Sequence, residues 1–248
     1  VWGGEDGSYD TSTGVSSTPE YGKVFISIKS TTGVDLTSAQ KTNLETALAP
    51  YKVASITPVV VDADTTSLIL GITIMYDSSA TTYTAAQIAS LVATTVSNYN
   101  ASDLQTFNTP FRHSKLLGLI DGTDTSILNS VATVTMAKLF TPTLSTATDY
   151  RINFNNKFYN PHSGHNASAG GIIASTGFYL NSVTTTTYFF DDDGVGNLRI
   201  YSLVAGVRTY LNNAAGTVDY TNGLVTVGSI TITGVAEVDG TISTQIRI

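Results

Sequence analysis

His162 and His165 stand three residues apart in the run His162-Ser163-Gly164-His165, inside a loop rich in Pro, Gly and Asn. Two imidazoles at that spacing could share a metal ion. No carboxylate or thiolate stands near them in sequence, so a loop or interface role is the expected one. Asp191-Asp192-Asp193-Gly194-Val195-Gly196-Asn197 is the densest charge cluster. Aspartates before a glycine turn resemble half of a calcium loop. The alternate acid spacing is missing, however, and Ser202 stands where such a loop needs its distal Glu. A hairpin tip solvated by carboxylates accounts for the cluster. The third histidine, His113, follows Arg112 at the start of a helix, where exposure or capping is expected rather than catalysis. Neither the aspartates nor the histidine pair is expected to hold a structural metal.

Other chemistry is poorly supported. The chain has no cysteine, which excludes a thiol nucleophile, a thiolate zinc site and a disulfide scaffold. It has neither the GxSxG nucleophile elbow nor the phosphate-binding glycine loop. Gly194-x-Gly196 lacks the third glycine and the following helix of a dinucleotide site. A carboxylate pair for glycoside hydrolysis stays open, although Asp and Glu sit mostly at turn positions. No catalytic residue, cofactor or metal is assigned.

The composition points the same way. Only 12% of the 248 residues are charged, about half the usual share. The net charge is −7, with 12 Lys and Arg spread thinly, so a nucleic-acid groove is not expected. Threonine supplies about one residue in six, and this β-branched side chain favours strands. No apolar run approaches the ~20 residues that span a bilayer. Beginning without Met and ending on Ile246-Arg247-Ile248, which reads as mid-strand, the chain is expected to be part of something longer.

The elements that would position these residues fall into two halves. Residues 1–21 read as an extended arm or linker. Gly22–Ser30 alternates as a strand. Thr37-Ser38-Ala39-Gln40 is a capping box that opens a helix with Leu44, Ala47, Leu48 and Tyr51 at helical spacing. Ile56–Val61 is a short strand and Leu68–Tyr76 a long alternating one. Thr84-Ala85-Ala86-Gln87 is a second capping box, before a helix carrying Ile88, Leu91, Val92, Val96 and Tyr99 and stopping near Asn100. A shorter helix over Phe111–Ile120 and a strand over Ile127–Leu139 follow. This order predicts an α+β domain over 22–144, with the ferredoxin-like split β-α-β arrangement and both main helices on one face of one sheet.

Near residue 145 the helical period stops. Short strands are expected over Tyr150–Phe154, Ile172–Leu180, Thr186–Phe190, Leu198–Val204, Thr217–Tyr220, Leu224–Val227, Ser229–Thr233 and Thr241–Ile248. Turns are expected at Asp193-Gly194, Asn213–Gly216, Asn222-Gly223 and Asp239-Gly240. Residues 145–248 therefore read as an all-β, hairpin-rich domain.

Several segments together resemble one family. They are Val1-Trp2-Gly3-Gly4-Glu5-Asp6, Pro19-Glu20-Tyr21-Gly22-Lys23-Val24-Phe25-Ile26-Ser27-Ile28-Lys29 and Ile56-Thr57-Pro58-Val59-Val60-Val61-Asp62. Further along come Phe111-Arg112-His113-Ser114-Lys115-Leu116 with Ile120-Asp121, then Val218-Asp219-Tyr220-Thr221-Asn222-Gly223. Their order is similar to the C-terminal half of the large baseplate wedge proteins of T-even-type contractile-tailed phages, whose core domain is of the baseplate J-like family. Here Ser30 departs from the family pattern, and Asp6–Thr18 reads as an insertion. The resemblance implies a virion protein of the tail baseplate, assembled in the host cytoplasm, with no catalytic task. It implies homodimers in a sixfold ring around the hub, contacts to other wedge proteins and to the sheath-initiating subunit, and relay of the contraction trigger to the sheath. The alternative is a receptor-binding or adhesive β-rich virion protein, a fibre or decoration module, against which the two capped helices argue. Candidate assembly-interface residues are Trp2, Phe111, Arg112, Phe154, Phe158 and Tyr159, because interfaces favour aromatics and Arg.

Overall fold

The computed structural model describes residues 1–6, 9–10, 15–16, 19–30, 35–53, 55–237 and 243–248. The first unit holds β1 (Trp2–Gly3), β2 (Tyr9–Asp10), β3 (Val15–Ser16), β4 (Lys23–Ser27), α1 (Ser38–Leu48) and β5 (Thr57–Val61). β2 and β3 pair as a small ribbon, and β1, β4 and β5 form a sheet in that order. The expected arm is tied back at both ends. Trp2 and Gly3 pair with Phe25 and Val24, and the Glu20 N–H donates to the Gly4 carbonyl at 2.6 Å. Residues 7–8, 11–14 and 17–18 of the expected insertion lie outside the described residues.

α1 starts where its capping box predicts. The Gln40 N–H donates to Thr37 Oγ1 at 3.3 Å, and the Thr37 N–H donates to Gln40 Oε1 at 2.9 Å. Its apolar face is poorly covered: Leu44 and Leu48 are half-buried, Ala47 is exposed, and Tyr51 just beyond is 85% exposed. Polar contacts hold it instead. Lys41 pairs with Asp62 at 2.6 Å, and the Val60 N–H donates to Glu45 Oε1 at 2.8 Å.

The second unit holds β6 (Ser67–Tyr76), α2 (Ala85–Asp103), α3 (His113–Asp121) and β7 (Ile127–Ala137). Leu70, Ile72, Ile74 and Tyr76 of β6 turn inward onto Ile88, Val92, Tyr99, Leu116 and Ile120. The second capping box forms, with Thr84 N–H to Gln87 Oε1 at 2.8 Å. α2 runs on past Asn100, whose carbonyl still accepts from the Leu104 N–H at 3.1 Å.

The element order is the expected one, but the strands do not make the split β-α-β sheet. That arrangement places another strand between two parallel ones. Here β4 and β5 are direct parallel neighbours, Lys23↔Thr57 to Ser27↔Val61. β6 and β7 form a separate antiparallel pair, Ser67↔Ala137 to Tyr76↔Ile127. One physical reason lies at Val60, where the Glu45 carboxylate occupies a backbone N–H that a further strand would need.

The rest of the chain is β: β8 (Leu139–Phe140), β9 (Ala147–Asn153), β10 (Phe178–Leu180), β11 (Val183–Asp192), β12 (Asn197–Val204), β13 (Val207–Asp219), β14 (Leu224–Val235) and β15 (Ile246–Arg247). β10 to β14 pair in sequence, and β10 also pairs with β14, so the five strands close a barrel. β9 lies outside the closure. It takes Leu224–Thr231 of β14, and β10 takes Ile232–Val235 of the same strand. Phe178, Phe190, Leu198, Val225 and Ile232 fill the core at 0% exposure. β15 pairs with β8, which returns the chain to the junction of the two halves. Among the described residues after Asp121 the helical content is one short 3-10 turn, Ala167–Ala169.

Several strand readings need correction. Asn213–Gly216 is not a turn but lies inside β13, where register shifts opposite Leu198–Tyr201 take up the extra residues. The reversal comes earlier, at Ala205 and Gly206, with φ of 49° and 81°, the two-residue hairpin geometry that matches strand twist. Leu224–Val227 and Ser229–Thr233 are one strand with a register irregularity between Val227 and Ile230. Of Ile172–Leu180 only β10 is strand, beyond a single bridge from Ala174 to Asp191. Asp239-Gly240 and the start of Thr241–Ile248 lie outside the described residues. Among the described residues no helix is long and apolar enough to cross a membrane.

Candidate assembly surfaces

The aspartate run stands at the end of β11, and two of its three members are buried. Asp191 is 1% exposed and Asp192 0%. Asp191 Oδ1 accepts from Arg199 Nε at 2.9 Å, and Oδ2 accepts from the Tyr210 hydroxyl at 3.0 Å. Arg208 lies 3.5 Å from the same oxygen. Burial nevertheless outweighs these partners and pushes the Asp191 carboxyl above the ordinary carboxylate value. Asp192 Oδ1 accepts from the N–H groups of Ile172 and Ile173 at 2.6 and 2.7 Å; Oδ2 accepts from the Gly194 N–H at 3.1 Å and the Tyr220 hydroxyl at 2.6 Å. Burial, then the bond to Asp192, pushes the Tyr220 hydroxyl upward. At Asp193, bonds from Asn197 and Val195 overcome burial and lower the pKa. The cluster therefore fastens the loop before β10 to the barrel wall. Gly171 is required there, because a Cβ at its φ of +68° would collide with the Asp192 carboxylate.

His162 Nε2 and His165 Nδ1 lie 3.5 Å apart on the loop surface, with Tyr159 edge-on to His165 at 5.6 Å. Among the described residues no three His, Asp or Glu side chains gather as metal ligands. His113 reaches from α3 to the edge of β7, its Nε2 2.9 Å from the Ala132 carbonyl.

The six candidate interface residues are scattered. Trp2 is half-buried and stacks on Phe25, with centroids 5.7 Å apart. Phe111 packs edge-on to Tyr99 at 6.3 Å, next to the exposed Arg112. Phe154 and Phe158 meet edge-to-face at 5.1 Å in the barrel core, each 6% exposed. Tyr159 beside them is 76% exposed.

Three apolar surfaces escaped the sequence reading. Tyr21, Tyr51 and Val53 are exposed around the first sheet. On the outer face of β6 and β7, Met75 and Val131 are exposed. Leu203, Val204 and Val207 crown the β12–β13 hairpin. The signal available was apolar residues at both strand parities, in Leu68–Met75 and again in Leu203–Val207. A groove of about 630 Å³ also separates the β6–β7 pair from the barrel, lined by Ile69, Val134, Met136, Phe158, Ile173 and Ile248 among others.

Comparison with known proteins supplies the context for such surfaces. Residues 1–61 match the family described as baseplate structural protein gp6, C-terminal domain I, and residues 67–139 match C-terminal domain III of the same protein. Baseplate wedge protein gp6 of Enterobacteria phage T4 is 26% identical over 117 residues, which are 47% of this chain and 18% of that protein. Over these residues the chain resembles the C-terminal part of a baseplate wedge protein, and it spans about a fifth of that protein's length.

Proposed function

We propose that this chain, as the C-terminal part of a baseplate wedge protein, packs into the inner ring around the tail hub and relays the contraction trigger to the sheath. In this reading it pairs with a second copy, sits in a sixfold ring, contacts other wedge proteins and the sheath-initiating subunit, and has no catalytic task. The observation that carries the reading is the pair of family matches, in chain order, to two C-terminal domains of one baseplate protein. Exposed apolar side chains on each unit support it, since a ring subunit covers such surfaces against neighbours. The proposed contact residues are Trp2, Phe111, Arg112 and Tyr159; Phe154 and Phe158, each 6% exposed, are left out because their rings are buried. The proposed division is an arm over 1–21, an α+β part over 22–144 and a β part over 145–248.

The test is electron cryo-microscopy of the native particle. The chain is expected in the baseplate, with permanent interfaces burying about 2,000 Å² or more each. A position in a distal fibre, touching only its own trimer, would overturn the reading in favour of an adhesive protein.

A further inference from the structure

The loop between β9 and β10 holds two imidazoles at a fixed distance, and its own backbone fixes it. His162–His165 is a β-turn, closed by the His165 N–H on the His162 carbonyl at 3.1 Å. Its third residue, Gly164, has φ of +76°, the left-handed value that a type II turn requires there. Such a turn sets its first and fourth residues side by side, so both rings share one surface. The turn is fastened to the barrel. The carbonyl of Gly194, in the β11–β12 hairpin turn, accepts from the Gly164 N–H at 2.9 Å and from Asn160 Nδ2 at 3.2 Å. The Ala167 N–H closes the following turn on the Gly164 carbonyl at 3.2 Å.

Hydrogen bonding also sets where the lone pairs lie. His162 Nδ1 is 3.1 Å from the Ser163 carbonyl. A carbonyl only accepts, so Nδ1 carries the proton and Nε2 of the neutral ring keeps its lone pair. A backbone carbonyl on the remote N–H is the usual support of a metal-binding histidine. That Nε2 faces His165 Nδ1 at 3.5 Å, longer than the about 2.7–3.2 Å of an ordinary hydrogen bond to an N–H donor. Two further observations fit a shared cation. A tetrahedral centre with metal–nitrogen bonds of about 2.0–2.1 Å sets two ligand nitrogens about 3.4 Å apart and, in line with each ring, their ring centres about 5.2 Å apart. The nitrogens here are 3.5 Å apart and the ring centroids 5.1 Å. Tyr159 lies edge-on to His165 at 5.6 Å and limits how that ring turns.

We propose that His162 Nε2 and His165 Nδ1 together bind one divalent transition-metal ion of the zinc class, with the remaining positions open to water. Imidazole nitrogens suit zinc, nickel and copper, whereas calcium and magnesium seek oxygen ligands. Among the described residues no group of three His, Asp or Glu side chains completes the shell. The turn closes through backbone bonds without an ion, so this is a surface binding site and not the structural metal that the loop sequence argues against. It rests on this loop alone and stands whether or not the chain belongs to a baseplate.

The experiment titrates the untagged chain with Zn²⁺ while nitrogen NMR follows the three histidine rings. One ion per chain is expected, shifting His162 Nε2 and His165 Nδ1 together and leaving the His113 ring unchanged. Mg²⁺ and Ca²⁺ at the same concentrations should move neither ring. His162→Ala changes an exposed side chain and should weaken Zn²⁺ binding about tenfold or more; His165→Ala should do the same, with the thermal midpoint of each variant without metal checking that the fold is intact. Zn²⁺ that shifts one ring without the other, coordination through His165 Nε2 instead of Nδ1, or single variants that keep the wild-type affinity would each show two independent imidazoles and overturn the shared site.

Discussion

The barrel and the first unit solve the same problem in opposite ways. The barrel closes its strands on one another and buries Phe178, Phe190, Leu198, Val225 and Ile232 completely. The unit of residues 1–61 buries two apolar side chains among its described residues, Phe25 and Val60, and leaves Tyr21, Tyr51 and Val53 open. Its helix α1 buries none and is held by Lys41–Asp62 and by Glu45. Apolar burial is the dominant stabilising term, so the barrel holds itself together while the first unit has little beyond polar ties. That thin unit is also part of the stretch that matches known baseplate domains. Under the proposed reading, a chain built this way keeps one self-sufficient body and offers another whose apolar surface neighbours would complete.

The sharpest way to break this comparison is to truncate each core. Phe178 and Phe190 stack with centroids 4.5 Å apart. Phe190→Ala should cost about 3–5 kcal/mol, the range for large-to-small changes at buried aromatics. Leu44→Ala on the half-buried face of α1 should cost about 1 kcal/mol or less, since little area returns to water. Urea unfolding of both variants measures the difference. Equal losses would mean that α1 carries a core of its own.

Next in size is the polar anchoring of each region. Asp192→Ala leaves the N–H groups of Ile172, Ile173 and Gly194 without their acceptor in a buried site, and about 3 kcal/mol is expected to be lost. Asp62→Ala removes the half-exposed partner of Lys41 and should cost about 0–1 kcal/mol. Thermal melts of the two variants decide it. A larger loss at Asp62 would reverse the assignment of which region depends on its polar ties.

The legible part of the fold was its local part. Thr37 with Gln40 and Thr84 with Gln87 announced both helices, because a capping box is complete within four residues. The alternation of Leu68–Tyr76 announced β6 for the same reason. Closure of the barrel through β10 and β14 was not legible, since no periodicity records which distant strands pair. Ala205-Gly206 was missed because alanine is an unusual residue at positive φ, whereas Asn213–Gly216 carries turn residues that a strand absorbs through a bulge. Among the candidate site residues, Tyr159 was marked as aromatic in an irregular loop and is exposed, but the same stretch hid Phe154 and Phe158, which turn inward. Sequence spacing could not separate them without the partners that β9 and β14 provide.

The two capping boxes sharpen the comparison at smaller scale. Thr37→Ala and Thr84→Ala each remove an equivalent bond, worth about 1 kcal/mol. α2 buries Ile88, Val92 and Tyr99, so loss of the Thr84 cap should lower the unfolding midpoint of its whole unit. α1 buries nothing, so loss of the Thr37 cap should appear as faster amide exchange within Ser38–Leu48 while the global midpoint hardly moves. A shift of the global midpoint by Thr37→Ala as large as that by Thr84→Ala would show α1 to be coupled to a core.

The smallest effect is in the response to acid. In the second unit Asp77, Asp103 and Asp124 are all held below the ordinary carboxylate value, chiefly by Ser79, Lys115 and Ser126. A depressed carboxyl binds its proton first in the unfolded chain, so its contribution is present above the ordinary value of 3.8 and is lost as pH falls through the folded value. Asp193 and Asp219 in the barrel behave the same way. Asp191 has the opposite sign. Burial raises it, so the folded barrel binds that proton more readily than the unfolded chain, and its contribution declines as pH rises from 3.8 through the raised value. On acidification Asp191 therefore offsets part of what the barrel loses, and the second unit has no such counterweight among its shifted groups. Amide exchange followed from about pH 5 down to about pH 3, where these carboxyls titrate, should show α2 and α3 losing protection before β11 and β12. Asp191→Asn removes the counterweight and should narrow that gap, whereas Asp103→Asn should widen the range over which α2 stays protected. Barrel amides opening first in the wild-type chain would sink the argument.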